Sequence, residues 1–431
     1  MMSIFRKHSS PRRVAPDSDR IGRARTLVLA GVTMLGMAAC NMDVKNPTVI
    51  DAATFNPNTD GTTLSLSAQT NFFIAFQSVA LYGGLISEEL WTGAARLQTN
   101  RLAARVFAST DDINADFFAP LSLAIASNEN AVAALQGGPG AATDLNLARA
   151  SMNLGYALEL SAETMCASVI QGGPQLSDTQ LLDSAITRFK AAITIASAAG
   201  SSGASIVNQA NVGLARAYLQ NGDYTNAATT AGLVPASFTA DVITSANVST
   251  QGTLGNTFYL NTLAGQIVAP KLYRVGDPRL PIDSTRAGGT LNNLAYVVQA
   301  KYNSYADPIR LASGLEAQYI AAEASLHQSG STGAALTLIA ARRTAGSQPA
   351  YSGGTDTLSV MGELLNQRAR DFWMEGKKLG DLRRNPSVPL TAVLADPAGA
   401  AFYTTKTATF GNSFCTPIPP QETGANPNFG T

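Results

Sequence analysis

The chain has 431 residues, with 30 basic and 30 acidic side chains, 45% hydrophobic residues and only 14% charged ones. Residues 1–39 hold seven Lys/Arg and two Asp, so the other 392 residues carry 23 basic and 28 acidic groups, a net charge of −5. Phosphate backbones and anionic headgroups repel such a surface, which argues against nucleic acid as a partner; the length suffices for one large core or two ordinary ones.

Arg20, Arg23 and Arg25 precede an apolar run that starts at Leu27 and closes on Met37-Ala38-Ala39-Cys40. A basic flank, a short apolar stretch and small residues at its end are the layout of an export signal. The run is shorter than the roughly 20 residues of a membrane span. Its end resembles a bacterial lipobox, which implies lipidation of Cys40 and loss of residues 1–39; an ordinary cleaved signal with an incidental cysteine, or a buried amphipathic helix, is the alternative. Residues 41–62 are polar and turn-rich (Asn46-Pro47, Asn56-Pro57-Asn58, Asp60-Gly61) and read as a tether.

From about Leu64 to Leu135 the pattern is helical, with an apolar face near Phe72, Phe73, Phe76 and Val79, and a second helix near Ala119–Leu135 that stops at Gln136-Gly137-Gly138-Pro139. Asp144 is placed to cap a helix over about 145–168, and Ser177-Asp178 opens another that runs to Ala199 and stops at Gly200. Asn208–Ala231 carries Leu214-Ala215-x-Ala217-Tyr218, Gly222-Asp223-Tyr224 and Ala227, the apolar, small, aromatic and turn offsets of a tetratricopeptide unit. Ala185, Phe189 and Ala192 fit the second helix of such a unit, and Tyr319–Arg343 repeats the pattern with Ala322, Leu326, Gly330 and Ala335. Three matches in one chain point to helix pairs, in which small residues let helices approach and aromatics fill the gap. Between 233 and 315 the helical period fades, and an irregular segment of that length inside a domain is usually functional. Helix returns over 314–346 and again over 361–384, and the last residues are irregular and proline-rich.

With Cys40 modified, Cys166 and Cys415 remain, an even number for an oxidising compartment. They read either as a disulfide tying the tail to the helical body or as two buried thiols. Beyond residue 39 the only histidine is His327, which argues against a Ser-His-Asp triad, a His-rich zinc site and a Cys-His nucleophile. It lies near a helix end and reads as a solvated or capping residue. No phosphate-binding or dinucleotide glycine motif is present. Glu88 and Glu89 are adjacent, so on a helix they diverge, whereas glycoside hydrolysis needs carboxyls on two sides of one sugar. The reading calls for no catalytic residue, no metal and no cofactor.

The segment from Glu363 to Arg384 holds the densest charges, with Arg368–Asp371 and Lys377–Asp381 at helical spacing. Alone, it reads as a solvated amphipathic helix with Trp373 on its apolar side. It also resembles the C-terminal signature E-R-x-x-E-x-x-x-E-G-x-R-x-x-D-L-R-R of the SusD/RagB family of outer-membrane nutrient-binding lipoproteins. Arg368, Glu375-Gly376, Lys378 and Asp381-Leu382-Arg383-Arg384 match, while Gln367 and Asp371 stand for the usual glutamates. Asn46-Pro47 behind the lipobox, Asp277-Pro278-Arg279, Tyr319-x3-Glu323-Ala324, Pro417-Ile418-Pro419 with Glu422, and Asn426-Pro427-Asn428 follow the family's order. The resemblance implies a mainly α fold of tetratricopeptide-like pairs supporting a loop-rich binding face with little β-structure. It also implies a TonB-dependent SusC-like outer-membrane β-barrel as partner, a glycan or peptide ligand, no catalysis, and a cell-surface, lipid-anchored location in the outer membrane.

No family motif marks the ligand site. Sugars bind aromatic faces beside planar polar groups, which selects Trp91 with Glu88, Arg96 and Asn100, and Tyr259, Tyr296, Tyr302 and Tyr305 in the irregular segment; for each, core packing with a polar tip is the alternative. The expected organisation is a signal over 1–39, an anchor and tether over 40–62, and one compact domain over 63–431. Within it lie a helical region (63–232), the irregular region (233–315), a second helical region with the signature (316–385) and a tail (386–431). A tetratricopeptide-type envelope scaffold that binds only proteins is the competing reading, and a surface hydrolase is a more distant one.

Overall fold

Side-chain caps set the start of six helices among the described residues. The computed structural model describes residues 56–286, 296–403 and 409–430; the signal, Cys40 and Asn46-Pro47 lie outside them. Asp144 accepts the Asn146 N–H at 2.8 Å, and Ser177 and Gln180 form a reciprocal capping box. In chain order the helices are α1 (Pro57–Ile86), α2 (Leu97–Ala103), α3 (Ala119–Leu135), α4 (Leu145–Thr164), α5 (Asp178–Ala198), α6 (Ala204–Gln220), α7 (Tyr224–Ala231), α8 (Gln251–Leu254) and α9 (Thr257–Leu263). After these come α10 (Gly314–Ser329), α11 (Gly333–Ala345), α12 (Thr357–Asp371), α13 (Lys378–Arg384) and α14 (Pro420–Ala425). The fold is mainly α. Among the described residues no helix is long and apolar enough to cross a membrane.

The helix pairs α4/α5, α6/α7 and α10/α11 occupy the three tetratricopeptide-like stretches. Gly330 takes φ 65° at the stop between α10 and α11, a left-handed conformation that glycine adopts without strain. Helix α4 is the central one, buried from Leu147 to Thr164 on nearly every side. Its contact with α5 and α6 depends on size. Phe189 of α5, fully buried, meets Tyr156 edge-on at 4.9 Å, and a Cβ on Gly155 or Gly213 would strike the Phe189 ring. Two glycines therefore make the slot that one phenylalanine fills.

Three helical expectations are corrected. The helix expected near Ala119–Leu135 is α3, but the helical stretch before it is broken after Ile86, where Trp91–Thr92 (β1) leaves to pair antiparallel with Ile267–Val268 (here β5), a partner too distant for a local pattern to reveal. The helix expected over 145–168 ends at Thr164, since Ser168–Val169 (β2) pairs with Gln175–Leu176 (β3). The helix expected over 361–384 is two helices: Met374 (φ 59°) and Gly376 (φ 68°) turn the chain between α12 and α13.

Two further antiparallel pairs organise the irregular region. Thr239–Val242 (β4) pairs with Ile309–Ser313 (β8), with a bulge between Ala240 and Asp241, and Ile282–Asp283 (β6) pairs with Val298–Gln299 (β7). Residues 243–308 thus leave and return at one place, as an excursion closed at its base by β4 and β8. The apolar piece Phe258-Tyr259-Leu260 is part of α9, for which Asn256 supplies the cap by accepting the Phe258 and Tyr259 N–H groups.

The tail is stapled. Cys166 and Cys415 form a disulfide with Cα atoms 4.9 Å apart. Beside it the Cys166 N–H donates to Thr416 O (2.9 Å) and the Thr416 N–H to Thr164 O (2.8 Å). Ile418 packs with Phe118, Met165 and Val169.

Candidate functional site

Helix α1 presents two stripes. Phe72 and Phe76 face the core, whereas Ile74, Ser78, Leu81 and Tyr82, spaced three and four residues apart, face the excursion. Between that second stripe and residues 252–261 runs a groove of about 240 Å³, lined by Ile74, Gln77, Ser78, Leu81, Tyr82, Gly252, Thr253, Gly255, Thr257, Leu260 and Asn261. Gln77 ties its walls together by accepting the Thr257 N–H at 2.9 Å. Asn261 donates to the Thr257 carbonyl at 2.8 Å, which orients its amide. The lining alternates apolar side chains with hydroxyls and amides, the mixture that a sugar ring meets on its C–H faces and its rim.

One end of the groove rests on a π-helical turn, Asn114–Phe118, a rare geometry often found at functional sites. Ser78 donates to the Asp116 carbonyl at 2.7 Å, and Tyr82 hydrogen-bonds the Asp116 side chain and packs near Phe117. Burial, reinforced by Asp112, pushes the Asp116 carboxyl up to about 7, and burial with the Asp116 charge pushes the Tyr82 phenol to about 12. Arg96 lies 2.6 Å from Asp112 at the same rim.

The residues singled out from sequence divide into two sets. Trp91 is only 4% exposed; it stacks on Tyr403 at 4.2 Å and points its indole N–H at Glu88 (3.3 Å). Glu88 is buried beside Arg105 and accepts the Asp396 N–H, and Asn100 is buried, donating to Ala94 O and Arg96 O. Tyr302 is buried against Phe258. These four present no face to a ligand, because aromatic packing and internal carbonyls take up their surfaces. Tyr259, Tyr296 and Tyr305 are half-buried and gather around α9. Tyr259 and Tyr305 meet edge-on at 4.9 Å, and the Tyr296 hydroxyl donates to the Thr262 carbonyl. The groove residues Gln77, Ser78 and Tyr82 were missed. The signal for them was the second stripe on α1, hidden by the stronger apolar face next to it.

The signature segment is not solvated: Arg368, Asp371, Glu375, Lys377, Lys378 and Asp381 are all buried. Nor do its local pairs form. Arg368 donates to Asp381 at 2.8 Å, and Asp371 accepts from Arg279 (3.2 Å), Arg342 (2.6 Å) and the Tyr319 hydroxyl (2.6 Å). Glu375 pairs with Lys301 and Arg310, and Arg384 grips Glu323 through two bonds of 2.7 and 2.9 Å. The scattered motifs around Asp277, Tyr319 and Asp381 therefore meet as two adjacent ion clusters, brought together where Arg368 lies over the Tyr319 ring at 5.8 Å. Burial alone would raise the Glu323 and Glu316 carboxyls; adjacent cations, Arg384 for the first and Arg216 for the second, instead hold both below their ordinary range. Trp373 is core, as expected, and donates to the Glu89 carbonyl at 2.7 Å. His327 is exposed near the end of α10, where it stacks on Tyr224 at 4.4 Å and lies 3.1 Å from Asn385.

A second cavity, about 120 Å³ between α4, α5, α6 and α13, is half the size, and Gln220–Glu163 and Arg383–Asp178 bonds span it. Among the described residues no group of three or more His, Cys, Asp or Glu side chains is placed to hold a metal ion.

No protein-family model matches the chain, and no curated protein matches it. Solved structures do. Surface glycan-binding protein A from Bacteroides uniformis is 15% identical with a TM-score of 0.64, covering 86% of this chain and 98% of its own. Surface glycan-binding protein A from Bacteroides thetaiotaomicron, in complex with laminarihexaose, is 13% identical with a TM-score of 0.65, covering 85% and 97%. A SusD superfamily protein from Bacteroides vulgatus is 14% identical with a TM-score of 0.62, covering 86% and 98%. Near-complete mutual coverage at so low an identity is agreement of architecture, and the chain has the SusD/RagB-like fold.

Proposed function

We propose that this protein captures an oligosaccharide fragment in the groove between α1 and α9 and passes it, without chemical change, to a TonB-dependent SusC-like outer-membrane barrel. The observation that carries the reading is the groove itself, where Gln77, Ser78, Tyr82, Thr257 and Asn261 set hydroxyls and amides beside Ile74, Leu81 and Leu260. The likeness to a surface glycan-binding protein crystallised with laminarihexaose supports the ligand class. Cys40 would carry the lipid, the residues between it and α1 would tether the folded body (which begins at Pro57 rather than at the expected residue 63), and the outer membrane's external face would be its place. Tyr259 and Tyr305 extend the aromatic surface from the groove's wall.

Calorimetric titration of the folded chain with oligosaccharides tests the groove. Tyr82→Ala and Asn261→Ala should each weaken binding about tenfold or more, the scale of losing one stacking or hydrogen-bonding anchor. Binding that ignores both substitutions would sink the groove assignment. Purification from detergent-extracted membranes tests the partner: a near-stoichiometric large barrel supports delivery, and its absence sinks it.

A further inference from the structure

We infer that the groove selects an uncharged sugar and rejects fragments bearing uronate or sulfate at the bound residue. This rests on the glycan-capture reading and adds a charge class to it. Its polar lining comes from Gln77, Ser78, Tyr82, Thr253, Thr257 and Asn261, and among the described residues lining it there is no charged side chain. Such a surface offers neutral donors and acceptors, which match hydroxyls but leave an anion without compensation. Moving a carboxylate out of water without a paired cation is far costlier than moving a hydroxyl that finds a partner.

The charged groups nearest the lining give an anion no uncompensated cation. Tyr82 is hydrogen-bonded to Asp116, and Asp112 stands close enough to raise the Asp116 carboxyl further. The one guanidinium acting on this cluster, Arg96, lies 2.6 Å from Asp112. Two carboxyl groups therefore face one cation that already has a carboxylate beside it. An approaching uronate would meet repulsion from Asp112 and would have to compete for Arg96. A neutral ring avoids both penalties.

The test is calorimetric titration of the folded chain with length-matched probes: neutral gluco-oligosaccharides such as laminarihexaose and cellohexaose, and acidic ones such as hexagalacturonate and a sulfated galactan hexamer. The expected result is that at least one neutral probe binds at least tenfold more tightly than any acidic one. Added salt should leave neutral binding unchanged and strengthen residual acidic binding, because it screens repulsion. Asp112→Lys should narrow the ratio by raising acidic affinity several-fold. Acidic probes binding as tightly as neutral ones, or losing affinity as salt rises, would overturn the inference while leaving glycan capture standing. Failure of every probe of both classes would overturn capture in this groove and the inference with it.

Discussion

Glu316 is fully buried and faces three cations: Arg216 at 2.6 Å, Lys377 at 3.5 Å and Arg368 at 3.7 Å. Removing one partner of a buried ion cluster leaves charge uncompensated, which is far more damaging than exchanging the whole cluster for apolar groups. Glu316→Gln should therefore lower stability by about 3–5 kcal/mol, read as a fall in the denaturant midpoint with little change in slope; an unchanged midpoint would refute the network's role. Asp116 gives a second test at this scale. Its folded-state carboxyl titrates near 7 against 3.8 for an ordinary aspartate, chiefly through burial. The folded state thus keeps a proton that the unfolded chain has released. Asp116 then contributes stability that is fully present below about pH 4 and lost as pH rises through 7. Asp116→Asn should flatten that part of the melting-temperature profile between pH 4 and 7, and a profile parallel to the parent's would show that Asp116 does not titrate there.

Elements depend on a few close approaches. The slot for Phe189 exists because Gly155 and Gly213 lack side chains, and both Phe189 and Tyr156 are fully buried, so neither ring has room to yield. Gly213→Ala should destabilise by about 1–3 kcal/mol through overpacking, checked by thermal unfolding; a neutral result would mean that α5 and α6 slide apart freely. The staple between the end of α4 and the tail acts over a sequence separation of 249. Cys415→Ser should cost about 2–5 kcal/mol and expose residues 409–430 to protease before the helices open. Equal resistance of tail and helices would show that Ile418 and the Thr416 hydrogen bonds hold the tail unaided.

Across the molecule, the groove joins a wall from the first long helix to a wall from an excursion some 170 residues later, with Gln77 bonded across it. A ligand that binds only this folded arrangement stabilises it by mass action, by about 2.7 kcal/mol at a hundred times its dissociation constant. A bound oligosaccharide should accordingly raise the melting temperature, and the rise should shrink in Tyr82→Ala; an equal rise in both would place the ligand elsewhere. The helix caps at Asp144 and Ser177, the tetratricopeptide-like spacing and the buried position of Trp373 were legible in the sequence because they depend on neighbours within a turn or two. The family resemblance came from the same source, since its motifs kept their order along the chain.

What the chain order did not contain was the third dimension of those motifs. Local spacing paired Arg368 with Asp371 and left the signature helix in solvent; in the folded protein Arg368 turns to Asp381, and Asp371 gathers Arg279, Tyr319 and Arg342. Trp91 and Tyr302 had the chemistry for a sugar but are covered by Tyr403 and Phe258. The sequence by itself determined the helices, their caps and the mainly α class, because backbone propensity and apolar period act over a few residues. Only the tertiary structure decided which charges are buried and which tyrosines meet solvent. It alone placed the second stripe of α1 beside α9, because burial depends on what arrives from the far end of the chain.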